Sequence, residues 1–63
     1  MDLQEVKKNL NKKVVYRGKK GIYELKACII RKNENGYYYQ AELLDRVSGN
    51  STSICSLSDI SEE

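Results

Sequence analysis

The residues able to do chemistry in this 63-residue chain are few, and the commonest catalytic type is missing. There is no histidine, so general acid–base work near neutral pH lacks its usual carrier. Neither a Ser–His nor a Cys–His nucleophile pair can form within one chain. Cys28 and Cys55 stand far apart and, without histidine, make a poor zinc site. A carboxylate pair such as Glu42 and Asp45 is conceivable, but three-residue spacing at a strand end is what a solvated edge shows. Gly18 and Gly21 lead into a strand, whereas phosphate-cradling glycine loops lead into a helix. So short a chain also has little room for a deep substrate pocket. No enzymatic activity, cofactor, metal or small-molecule substrate is expected.

The cations are the stronger signal. Lys12, Lys13, Arg17, Lys19 and Lys20 crowd into nine positions, and Lys7 and Lys8 precede them. Such a group can form a rim that contacts nucleic-acid phosphates. It can equally be a solvated surface that keeps a small protein soluble, or a complement to an acidic protein. Residues 1–32 hold ten Lys or Arg against three acids, a net +7, while residues 33–63 hold one Arg against six acids, a net −5. Whether the basic residues converge or interleave with the acids is a question of geometry.

The elements that must position these residues follow from hydrophobic period. Asp2 to Leu10 reads as a short helix, with Asp2 as cap, Glu5 three residues on, and Leu3, Val6 and Leu10 on one face. Asn11 suits a left-handed stop. From Lys13 the period becomes two. A first strand covers 13–17, with Val14 and Tyr16 inward and Lys13, Val15 and Arg17 outward. The turn 18–21 has two glycines. A second strand covers about 22–32, with Tyr23, Leu25, Ala27 and Ile29 inward and Cys28 outward. Ile30 breaks its phase, which predicts a bulge near Ile29–Ile30.

Asn35-Gly36 marks a hairpin. The third strand, 37–44, alternates Tyr37, Tyr39, Ala41 and Leu43 against Tyr38, Gln40, Glu42 and Leu44. After a polar loop, a fourth strand covers 51–57, and a single turn returns Leu57 and Ile60 to the core. The predicted core is Leu25, Ile29, Tyr39, Leu43 and Ile54. The chain is thus expected to be one mainly β domain over 1–63. Its helix covers about 2–10, its barrel about 13–60 and a frayed tail 61–63. Four strands in so few residues imply an antiparallel sheet that is strongly bent or curled into a barrel.

This order of short strand, basic turn, long bent strand from Ile22, tight hairpin, strand Tyr37–Leu44, short strand and terminal Leu57–Ile60 turn resembles the SH3-like small barrels, KOW and Tudor-like kinds included, over residues 13–60. The resemblance implies a module that binds proteins, peptides, RNA or DNA and rarely catalyses. The chain has no tryptophan, which argues against proline-rich ligands. No site of that family is carried over residue by residue.

The expectation is therefore a non-catalytic binding module. Its first candidate partner is nucleic acid, held through Lys7, Lys8, Lys12, Lys13, Arg17, Lys19 and Lys20. The alternative is a protein partner or homodimer, meeting Tyr38, Leu44 and the helix stripe Leu3, Val6 and Leu10. That stripe is expected to cover the outer sheet face near Cys28, Ile30 and Leu44. No run of about 18 apolar residues suggests a membrane span. Without a basic and apolar leader, a cytoplasmic protein with reduced thiols is expected.

Overall fold

The computed structural model describes every residue from Met1 to Glu63. Asp2 caps a helix, α1 (Leu3–Asn9), by accepting the Glu5 N–H at 2.8 Å, and the Glu5 carboxylate accepts the Asp2 N–H at 3.1 Å. This reciprocal pairing satisfies two N–H groups that a helix start leaves free. Asn11 then takes a left-handed φ of 65°, which turns the chain into the sheet. The strands are β1 (Lys13–Tyr16), β2 (Tyr23–Asn33), β3 (Gly36–Asp45), β4 (Ser51–Ser56) and β5 (Ile60–Glu62), with a 3-10 turn over Leu57–Asp59. They form one antiparallel sheet in the order β4-β3-β2-β1-β5.

Five strands, not four, make the sheet. Ser61 and Glu62 are not frayed: they pair with Val15 and Val14 and cover an edge of β1 that would otherwise stand open. The 3-10 turn returns the chain as expected, burying both Leu57 and Ile60.

The bulge lies upstream of its predicted place. Leu25 pairs with Leu43 but Ala27 pairs with Glu42, leaving Lys26 as the extra residue. Leu25 spends both backbone groups on the segment after the helix, through Asn11 N–H to Leu25 C=O (2.6 Å) and Leu25 N–H to Lys12 C=O (3.0 Å). The bulge follows at once, where β2 parts from that segment. Directly paired residues share a face, so the shift sends Cys28 inward with Ala41 and Ile29 outward with Gln40. Both assignments are the reverse of the sequence expectation.

The core consists of Leu25, Leu43 and Ala41, fully buried, with Val6, Val14, Tyr23, Cys55, Leu57 and Ile60. Ile54 is a second correction. It pairs with outward Glu42 and is 45% exposed, while its neighbour Cys55 pairs with Ala41 and is buried. Tyr39 packs against the core only partly. Tyr16 and Tyr23 meet edge to face at 5.2 Å between centroids.

The helix also takes a different face from the one predicted. Val6 is buried among the inward residues, so α1 lies over the inner side of the sheet and leaves Leu44 on the other. The inner side holds the fully buried leucines, and their area must be covered on both sides. Cys28 and Ile30 remain next to the helix because the bulge has turned them inward.

Candidate binding surfaces

The seven predicted cations are all exposed, but they do not form one patch. Lys7 and Lys8 sit in the last turn of α1, on the helix side of the sheet. Lys13 lies on the opposite side by strand alternation, paired across β1–β2 with Glu24. Arg17 is occupied: its guanidinium donates to Ser58 C=O at 3.1 Å and its backbone N–H to Asp59 C=O at 2.8 Å, which fixes the 3-10 turn.

Lys19 and Lys20 stand at the tip of a constrained turn. Gly18 and Gly21 have φ of 75° and 133°, values that favour glycine. Lys19 N–H donates to Tyr16 C=O at 3.1 Å, and the Tyr23 hydroxyl donates to Lys20 C=O at 3.4 Å. The backbone is held while the ammonium groups stay in solvent.

Only Lys26 and Arg46 make ion pairs, both with Glu24, at 3.3 and 3.8 Å. None of the seven predicted cations has a carboxylate within salt-bridge distance. Over longer range the two halves of the chain interleave. Basic β1 and β2 lie between β3 and β5, which carry Glu42, Asp45 and Glu62.

No protein-family model, curated protein or solved structure matches the chain. Its surfaces must therefore be read on their own chemistry.

Glu42 and Asp45 point to opposite faces of β3, as three-residue spacing in a strand requires. Asp45 is taken up by its loop, accepting the Val47 N–H at 3.0 Å and the Ser48 N–H at 3.2 Å. The Ser48 side chain and these N–H groups hold its carboxyl below the usual range. Glu62 is also lowered, through contact with Glu5 and Asn9 and the nearby charge of Lys8.

Cys28 and Cys55 flank Ala41 on either side, in register across three strands. Two strand spacings separate them by about 9.6 Å, beyond the roughly 7 Å reach of a disulfide. Burial pushes the Cys55 thiol up, helped by the Asp59 carboxylate, and burial with Cys55 beside it does the same to the Tyr16 hydroxyl. The folded state thus keeps protons that the unfolded chain releases first. Stability from these groups is complete below about pH 9, near the ordinary thiol pKa, and is lost as pH rises through the raised folded values. Two outcomes are expected. Thermal melts should fall steadily above about pH 9, and iodoacetamide should modify half-buried Cys28 well before Cys55, which should need denaturant. Equal rates for the two thiols would contradict the register of β4.

Among the residues expected to meet a partner, Tyr38 is 41% exposed opposite Arg31, and Leu44 is half-buried between Glu24 and Thr52. Val6 is not available, since it is part of the core. Leu3 and Leu10 remain over 40% exposed, and they line a groove beside β2 with Lys26, Cys28 and Ile30. Sequence reasoning did not single out Lys26, Arg31 or Lys32. The signal was present in strand lengths, because an eleven-residue strand beside a four-residue one must leave much of its edge uncovered.

Proposed function

We propose that the chain is a non-catalytic, cytoplasmic binding module on an SH3-like small barrel. It contacts nucleic-acid phosphates through Lys19 and Lys20 at the tip of the β1–β2 turn, whereas Lys12 and Lys13 lie at the far end of β1, beside Leu25 and Glu24. The observation that carries this reading is a fixed turn whose ammonium groups reach solvent with no carboxylate in range. Phosphate is a natural complement to such groups, because neutralising it releases condensed counterions. The strand order, with a 3-10 turn before the last strand, supports the small-barrel assignment.

Binding of this kind is weak, indifferent to sequence and steeply dependent on salt. Fluorescence anisotropy on short duplex and single-stranded probes, titrated across salt, measures it. Lys19→Glu with Lys20→Glu should leave the melting temperature unchanged, since the turn tip carries no core packing. It should reduce the salt slope by about two, roughly one for each phosphate that is no longer neutralised. Absence of binding at about 50 mM salt and micromolar protein, where the counterion effect is strong, would rule the reading out.

A further inference from the structure

The β2–β3 hairpin outruns the rest of the sheet. β1 pairs with β2 only at Lys13↔Glu24 and Val14↔Tyr23, and the Asn11 and Lys12 bonds extend this to Leu25. From Ala27 to Asn33 the sole partner of β2 is β3. Alternate N–H and C=O groups along that length point away from β3, so it is an open strand edge. The molecule measures 36 × 21 × 19 Å and exposes 4490 Å², against about 4,100 Å² for a compact protein of this mass. The projecting hairpin is one visible source of that excess.

Beside the same edge, α1 and β2 leave a groove of about 530 Å³. Leu3, Leu10, Cys28 and Ile30 make it apolar, and Ile30 is 64% exposed. Its only charged lining residues are Lys7 and Lys26. Lys26 is shared with Glu24, but Lys7 has no acid partner. Farther along the edge are Arg31, whose Nε donates to the Gln40 side-chain Oε1 at 2.6 Å, and Lys32, above the Tyr37 ring at 5.4 Å. No carboxylate lines the groove.

A ladder edge next to pockets for alternate side chains is the arrangement that accepts an added strand. Charge selects the occupant. Pairing this edge with the same edge of a second copy would set Lys26, Arg31 and Lys32 against one another, and like charges across strands destabilise. An acidic strand reverses the sign. We propose that the edge Ala27–Asn33 and its groove bind an extended segment of a partner protein. That segment has apolar side chains facing the groove and carboxylates between them. The site is separate from the phosphate-contacting turn and stands or falls independently of it.

The test uses the whole chain labelled with ¹⁵N and three synthetic peptides. One alternates Glu with Ile or Leu, one replaces each Glu by Lys, and one repeats the acidic sequence with alternate backbone nitrogens methylated. The acidic peptide should shift the amides of Ala27–Asn33 and of α1 and should slow alkylation of Cys28. The lysine peptide and the methylated peptide should each bind at least tenfold more weakly. Ile30→Lys should weaken the acidic peptide by a similar factor, and Lys7→Glu, on the exposed helix surface, gives a second variant should the first melt early. Equal binding of the acidic and lysine peptides would overturn the proposal, as would indifference to methylation. So would a second copy closing the edge in sedimentation equilibrium, or shifts at Ala27–Asn33 with single-stranded DNA but not with the acidic peptide.

Discussion

Leu25→Ala should cost the protein about 2–5 kcal/mol, and a chain of this length has only about 3–9 kcal/mol to lose. Leu25 and Leu43 are the largest side chains with no exposed surface, and they face each other across β2 and β3. Removing three methylene-sized groups there leaves a cavity at the meeting point of helix and sheet. The surrounding residues cannot collapse into it without breaking the β2–β3 register. Chemical denaturation should show a midpoint lowered by roughly half at unchanged slope. Leu43→Ala should behave alike, and the double variant should cost less than the sum because the two sites share one cavity. Ile54→Ala is the contrast. The side chain is equally apolar but 45% exposed, so its loss should stay below about 1 kcal/mol. A larger cost at Ile54 than at Leu25 would invert the face assignment of the whole sheet.

The same pair of residues shows where the sequence was legible. Leu25 and Leu43 sit in alternating stretches, Tyr23-Glu24-Leu25-Lys26 and Ala41-Glu42-Leu43, where a charged neighbour marks the outward side. The capping box, the Asn11 stop, the glycine turn and the terminal turn were likewise readable, because each depends on local chemistry. The bulge was not. Ala27, Cys28, Ile29 and Ile30 are all apolar, so the period falls silent just where the register slips. A phase break at Ile30 was visible, but its origin at Lys26 depends on where the segment after the helix leaves β2.

Ile54 and Cys55 pose the same ambiguity, two adjacent apolar residues among serines. Side-chain size favoured Ile54. Leu57, buried two residues beyond Cys55, was the signal for the other choice. Tyr37 has the inward phase but is 66% exposed, because neither α1 nor β4 extends to that end of the hairpin. Phase is a local property, whereas burial requires an element to arrive from elsewhere. The candidate surfaces divide in the same way. The exposed turn lysines could be read from spacing, but the open edge of β2 exists only because β1 is short.

Val6→Asp should be close to lethal for folding, while Leu3→Asp should be nearly silent. Both lie on the apolar stripe of one short helix, and from sequence the two are equivalent. In the fold Val6 is 4% exposed within the core, whereas Leu3 is 42% exposed on the groove rim. A carboxylate at Val6 would be buried without a partner, at a cost of several kcal/mol. A seven-residue helix has no stability of its own to offset this. Around it the helix is pinned by few bonds. The Met1 ammonium donates to Leu57 C=O at 2.9 Å and to Ile60 C=O at 3.3 Å, whereas the bond from the Asn9 amide to Glu5 C=O, at 2.7 Å, stays within the helix. Losing Val6 should therefore release α1 as a unit and uncover Leu25 and Leu43. Circular dichroism with a solvatochromic dye is the direct measurement. Val6→Asp should lose helix signal, bind the dye and melt at much lower temperature, as should a chain lacking residues 1–10, whereas Leu3→Asp should match the parent. Equal effects at the two positions would mean that α1 does not dock through Val6, and the apolar inner face would then require a different cover.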